Sequence, residues 1–364
     1  MFHNLPAGGA KRFFYEAIKY LSLKNHVDLY ILSTSEEDFL NTKVFSKKVY
    51  LYKFNLNSVY PGFLKRLDID YKNFFSLRNI HKNIARDIDS RNYDVVLTWA
   101  DRFTESPFLL RYLKTPSVYS AMELLRIAYE DILSFQENVS IHKILYEKFT
   151  RNIRKQIDKN NARSATRILS PSKFTTKQIK KAYNKNAVLV YGGVDIKMFK
   201  KTKKTENKLL FMGGETDQDG YPLAKSIVDK LGGKLKLTQL DFPKGKASIN
   251  NDRIVSEQYS SALVSLCLDY AEPFGLKAIE SMACETPVLA VNDGGYRESV
   301  LDGKTGYLLP RNADIFVKKI QYLLKYPHLR RKMGVLGRNH VMEYFTWQKH
   351  GKNLENILSD LSKT

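Results

Sequence analysis

Residues 262–291, ALVSLCLDYAEPFGLKAIESMACETPVLAV, decide the fold. An apolar run, a tight turn, a stretch of helical period and a second apolar run follow in that order. The spacing predicts a helix over Gly275–Ala283, with Leu276, Ile279 and Ala283 on one apolar stripe. Strand, helix and strand at this spacing form a parallel unit whose crossover helix packs on the sheet. Glu280 comes four residues after Leu276 and shares the stripe. An unpaired charge in apolar surroundings is costly, so Glu280 needs a partner: a structural ion pair at the stripe edge, or a ligand in a cleft. Glu272, just before the FG turn, poses the same question.

The alternation extends outward in both directions. VDLYIL (27–32), VYLYKF (49–54), DVVLTWA (94–100), SVYSA (117–121), RILS (167–170) and AVLVY (187–191) read as strands. A lysine-rich connector, KKTKKTENK (200–208), precedes LLFMG (209–213), KLKLTQL (234–240), ALVSLCL (262–268) and PVLAV (287–291). Helical patterns lie between most of them. The expected fold class is α/β, with two Rossmann-like, doubly wound parallel sheets facing a cleft lined by strand C-termini and helix N-termini. Only Phe2, His3 and Asn4 precede the first glycine turn, so the first strand is expected to be truncated, or translation to start upstream.

The chain of 364 residues is 43% apolar, which is ample for two cores. Its two cysteines, Cys267 and Cys284, sit in apolar runs and suit neither a disulfide framework nor a zinc site. They read as buried thiols in a reducing compartment, and the expected location is the cytoplasm. No apolar run is long enough to span a bilayer. Net charge is +21, two thirds of it carried by residues 1–194; residues 142–185 hold 13 basic and 2 acidic residues. Such charge suits nucleic acid, an anionic membrane surface or a phosphorylated substrate, or is simply a solvated face. No recognition helix or stacking platform is legible, which argues against nucleic acid.

With its surroundings, ALVSLCLDYAEPFGLKAIESMACETPVLAVNDGGYRESVLDGKTGYLLP (262–310) resembles the C-terminal domain of family-4 retaining glycosyltransferases of GT-B fold. Glu272 and Glu280 match that family's E-x7-E motif. HNLPAGGAKR looks like its first glycine loop, followed by a helix with Phe14, Ala17, Ile18 and Leu21 inward. SVYSAMELLRIAYED resembles a segment carrying an E-P-P-R-like stretch, and YGGVDIKMF the entry to the second domain. FTWQKHGKNLENIL resembles the terminal helix that crosses back. The resemblance implies an acceptor-side domain over 1–190, a nucleotide-sugar domain over 191–345 and a returning helix over 346–364.

It further implies a retaining hexosyltransferase that moves sugar from a nucleoside-diphosphate donor to a glycan or lipid-linked acceptor, with no metal or other cofactor. Glu280 would bind ribose hydroxyls, and Glu272 would hold the donor sugar near its anomeric centre. Backbone N–H groups of Phe274, Gly275 and Leu276 would face sugar or diphosphate, since a helix N-terminus favours anions. Gly8 and Gly9, with Gly213 and Gly214 in the second domain, would let backbone approach the donor. Asp-x-Asp triplets at 217–219, 68–70 and 87–89 follow no strong strand and are not read as metal ligands.

This sequence departs from the family pattern where an Arg and a Lys would meet the diphosphate: Gly214 and Asp219 stand there. Met122 replaces a frequent His, and Glu285 a small residue. Replacement contacts to phosphate or acceptor are expected from Lys11, Glu123 and Arg126, with Arg12, Lys244 and Lys246 as further cations. The alternative is a catalytically impaired nucleotide-sugar binder or a partner subunit of an active enzyme. Two segments, KRFFYEAIKYL and YPGFLKRLDIDYKNFFSLR, would suit peripheral contact with an anionic leaflet, although their aromatics are expected in the core.

Overall fold

The computed structural model describes residues 1–129, 141–240 and 252–363. Lys244 and Lys246 lie outside them. The chain divides into two compact units. One holds Met1–Pro171, Thr175–Val190 and Asn353–Thr364; the other holds Ser172–Phe174 and Tyr191–Lys352.

The first unit carries strands β1 (Phe2–Asn4), β2 (Asp28–Leu32), β3 (Lys48–Tyr52), β4 (Val96–Asp101), β5 (Ser117–Ser120), β6 (Arg167–Ser170) and β7 (Ala187–Leu189). They form one parallel sheet in the order β3-β2-β1-β4-β5-β6-β7. The second unit carries β8 (Lys208–Met212), β9 (Lys236–Leu240), β10 (Val264–Cys267), β11 (Val288–Val291) and β12 (Gly306–Leu309), ordered β12-β11-β10-β8-β9 and again parallel. The helices are α1 (Gly9–Leu21), α2 (Gly62–Tyr71), α3 (Leu77–Asp89), α4 (Arg126–Tyr129), α5 (Ile141–Ser164), α6 (Lys173–Tyr183) and α7 (Tyr221–Leu231). They continue as α8 (Asp252–Ser261), α9 (Leu276–Ala283), α10 (Tyr296–Ser299), α11 (Ala313–Lys325), α12 (Pro327–Tyr344) and α13 (Trp347–Ser362). This is the two-sheet α/β class expected. The first turns of α13 count with the second unit, and its remainder with the first.

Central strands are buried on both faces, which is why they read as unbroken apolar runs. Every residue of β2, β4, β8, β10 and β11 is buried. The three residues of β1 sit centrally between β2 and β4. On α1, Phe14, Ala17, Ile18 and Leu21 point inward as expected. Phe14 meets Trp99 edge-on at 5.1 Å. Burying each such side chain contributes about 1.5–3 kcal/mol. The connector lies within the second unit, where the Thr202 and Lys203 N–H groups donate to Ser260 Oγ.

Two expectations about the basic aromatic segments part company here. Phe13 and Phe14 are buried. Tyr60, Phe63, Tyr71 and Phe75, expected in the core, are half exposed or more. The inward position of α2 belongs instead to Asp70, held by Arg66, Arg154 and the Tyr146 hydroxyl.

Both sheets have a point where strand order reverses, between β1 and β4 and between β8 and β10. Ligands of open α/β sheets bind outside the strand C-termini at such points.

Candidate functional site

In the second unit, the C-terminal ends of β8 and β10 deliver the two segments singled out in the sequence. After β8 come Gly213, at φ +156°, and Gly214. Gln239 Nε2 donates to the Gly213 carbonyl at 3.0 Å. Asp219 turns back over this glycine: a Cβ on Gly213 would lie 3.0 Å from the Asp219 Cβ. The Asp219 carboxylate accepts the Thr216 hydroxyl at 2.5 Å.

After β10 the chain runs through Ala271, at φ +48°, to Glu272. Glu272 Oε1 accepts the Gly275 N–H at 3.0 Å, just ahead of α9, where the helix N-terminus favours a negative charge. The Asp-Gly-Gly turn at 293–295 packs directly on this segment. Gly294, at φ +56°, has no room for a side chain; its Cβ would lie 2.4 Å from the Glu272 carbonyl oxygen. Gly295 N–H donates to that same oxygen at 2.7 Å. Asp293 accepts from Ala271 N, Gly294 N and Arg311. Burial would raise its pKa, but these donors outweigh burial and hold it below the usual carboxylate range.

Glu280 is half buried on α9, and its Oε2 accepts the Tyr259 hydroxyl at 3.2 Å. Burial first, and then the Glu280 charge, hold that phenol well above its ordinary pKa, so it stays a donor. The structure also brings in a group the sequence reading missed. Lys277 Nζ lies 2.6 Å from Asp269, whose other oxygen accepts the Tyr296 hydroxyl at 2.5 Å. Burial lowers the lysine's pKa, yet Asp269 and Glu272 together raise it above normal. The buried Cys267 thiol is pushed up by burial and then by Asp269, with Lys277 opposing and Glu272 and Glu280 adding. Asp269 and Lys277 thus form an ion pair just beyond β10, on the segment that leads through Glu272 into α9. Arg311 clamps the same exit, donating to the carbonyls of Leu268 and Asp269 at 2.6 Å each and lying 3.4 Å from the Tyr270 ring centroid. Sequence spacing gave Asp269 and Lys277 no visible partner; their eight-residue separation brings them together only once strand and helix fold back.

Phe274 is buried, and Gly275 and Leu276 open α9. Both cysteines are buried and free.

In the first unit, Gly8 (φ +148°) and Gly9 are exposed at the start of α1. Lys11 corrects the expectation of a phosphate contact. Its side chain is fully buried and ion-paired to Glu37, with His3 Nε2 at 3.4 Å. One turn into α1, position 11 faces the core beside β1, so its ammonium is spent on Glu37. Glu123 and Arg126 pair with each other at 3.4 Å, with the glutamate side chain 43% and the arginine 20% exposed. Near them Glu105, at φ +58°, is driven well above its ordinary pKa by burial and then by Glu123, Asp158 and Asp101. Within two of the Asp-x-Asp triplets, Asp70 binds Arg66 and Arg154, and Asp89 accepts the N–H groups of Lys114 and Thr115. Among the described residues, no cluster of three His, Cys, Asp or Glu side chains could hold a metal.

Residues 176–340 match the family of glycosyl transferases group 1. An alpha-1,3/1,6-mannosyltransferase of Dictyostelium discoideum is 37% identical over 98 residues, 26% of this chain and 23% of that protein. An uncharacterized glycosyltransferase of Methanocaldococcus jannaschii is 24% identical over 215 residues, 55% of this chain and 61% of that one. The chain thus spans about a quarter of the first of these relatives and less than two thirds of the second. Among solved structures, sucrose-phosphate synthase from Thermosynechococcus elongatus superposes with TM-score 0.74 at 17% identity, covering 99% of this chain and 96% of that one. Anabaena HepE in complex with UDP-glucose gives 0.70 at 14% identity, covering 99% and 98%. These likenesses establish a GT-B fold.

Proposed function

We propose that this protein transfers a hexose from a nucleoside-diphosphate donor to a hydroxyl of a glycan or lipid-linked acceptor, retaining the anomeric configuration and using no metal. The observation that carries the reading is the placement of Glu272 at the entry to α9 and Glu280 along it, just after β10 at the strand-order reversal of the second sheet.

In this reading the Glu280 carboxylate accepts the ribose hydroxyls, its orientation fixed by Tyr259. A hydrogen bond to a charged group contributes about 1.5–3 kcal/mol, so two hydroxyls on one carboxylate give firm anchorage. Glu272 accepts hydroxyls of the donor sugar, steadied by the Gly275 N–H. The first turn of α9 offers N–H donors to the diphosphate. The Arg and Lys found in relatives of the resembled family are absent at Gly214 and Asp219, and the N–H groups opening α9 take up the diphosphate charge in their place. Cleavage of the sugar–phosphate bond leaves oxocarbenium-like character on the sugar and negative charge on the departing diphosphate. The acceptor hydroxyl enters from the face the diphosphate leaves, and the departing phosphate takes its proton.

Isothermal calorimetry with UDP and GDP tests the binding half. At least one should bind the wild type, and Glu280→Ala should weaken it 10- to 100-fold. Failure of both nucleotides to bind would remove the reading.

A further inference from the structure

We infer that the apolar row on α2, flanked by lysines, is the surface through which this protein rests on an anionic lipid bilayer. The helix is built inside out. Its buried residue is Asp70, while Phe63, Leu64, Leu67 and Tyr71 point to solvent. The row continues through a π-helical turn, Lys72–Ser76, to Phe75, and is preceded by Tyr60. Leu64 is 56%, Tyr71 60% and Phe75 53% exposed. Positions 64, 67 and 71 recur at helical spacing and the Tyr71 ring meets Phe75 at 5.2 Å, so these side chains form one stripe rather than scattered residues. Single exposed hydrophobics are ordinary, but a contiguous stripe marks a contact surface.

A second row lies on α5, where Ile141, Leu145 and Phe149 recur every four residues and are 59–67% exposed. The two helices are joined by the Phe63 and Tyr146 rings at 5.1 Å and by Arg66 with Glu147 at 2.8 Å. Both rows therefore belong to one corner of the first unit.

Charge selects the occupant. The acids of this corner are each tied to a cation: Asp68 to Lys72, Asp70 to Arg66 and Arg154, and Glu147 to Arg66. Lys65, Lys143 and Lys148 stand exposed around the apolar rows. Aromatic and aliphatic side chains bordered by lysines, on a helix of low overall hydropathy, suit burial at the headgroup boundary of an anionic leaflet. Each basic residue near such a surface strengthens binding roughly fivefold. None of the residues of these two rows belongs to the donor site proposed above.

Sedimentation of the full chain with vesicles tests it. Partition onto phosphatidylglycerol–phosphatidylcholine vesicles should exceed that onto pure phosphatidylcholine at least tenfold, and should fall steeply with salt. Leu64→Ser with Leu67→Ser and Phe75→Ser should reduce partition at least tenfold while the thermal transition stays in place. Lys65→Glu with Lys148→Glu should abolish the anionic preference, and it serves as the test if the serine variant loses its fold. Equal partition onto neutral and anionic vesicles, or wild-type partition by both variants, would overturn the proposal. So would a wild-type dimer in light scattering that the serine changes dissociate without any effect on vesicle binding, since the surface would then belong to a second copy.

Discussion

A Cβ on Gly275 would stand 2.7 Å from two carbons of the Tyr296 ring, so the tyrosine fills the space that every residue but glycine would claim. Gly275 also sits at φ +93°, in the left-handed region. The ring in turn sends its hydroxyl to Asp269, and Asp269 holds Lys277. The geometry of the FG turn is thus tied to the charge arrangement at the end of β10.

Gly275→Ala should therefore destabilise the second unit by about 2–4 kcal/mol, combining left-handed strain with overpacking. Denaturant unfolding measures it. Tyr296→Ala should recover part of that loss in the double variant, since the clash term disappears; strict additivity would show that the ring is not the obstacle.

The Lys11–Glu37 pair should behave as a buried ion pair. Glu37→Gln leaves the Lys11 ammonium enclosed without its counter-charge and should cost about 3–5 kcal/mol, whereas Lys11→Met with Glu37→Leu should cost much less. Burial lowers the ammonium's pKa; for Glu37, hydrogen bonds and charge from His3 and Lys11 outweigh burial and depress it. Comparison of the two unfolding free energies decides it.

His350 should give the second unit an acid-sensitive term. Its Nδ1–H donates to the Tyr191 carbonyl at 2.8 Å, and burial lowers its pKa to about 4. The unfolded chain takes up this proton near pH 6.5, before the folded one does. The contribution is therefore present in full above that pH and is lost as pH falls from 6.5 to about 4. Its size is about 3 kcal/mol. His350→Gln should flatten this part of the stability–pH curve; an unchanged slope would assign the sensitivity elsewhere.

Glu285 occupies φ +57° where the resembled family has a small residue. Glu285→Gly should remove left-handed strain of about 1–2 kcal/mol, against about 0.5–1 kcal/mol of added chain entropy. A gain of up to about 1 kcal/mol is expected in thermal unfolding.

The clearest runs in the sequence are those of strands buried on both faces. Runs such as LLFMG and PVLAV have no polar alternation to blur them, and they became β8 and β11. Edge strand β12 is only four residues long and opens on Gly306, too short a run to separate from the glycine turn before it. Lys11 and α2 were misjudged for one reason. Residue type and position suggested a phosphate-binding lysine and core aromatics, but Glu37 and Arg154, distant in sequence, reversed both. Glu272 and Glu280 were visible as a spaced pair. Lys277 was not, because its importance depends on Asp269 across the turn.

Turnover with a panel of UDP- and GDP-sugars, measured for the wild type, Glu272→Ala and Glu280→Ala, tests the central claim most directly. The account expects the wild type to release or transfer sugar from at least one donor, and each variant to lose at least about 100-fold, the scale of one preorganised transition-state contact. Turnover that survives both substitutions would contradict it.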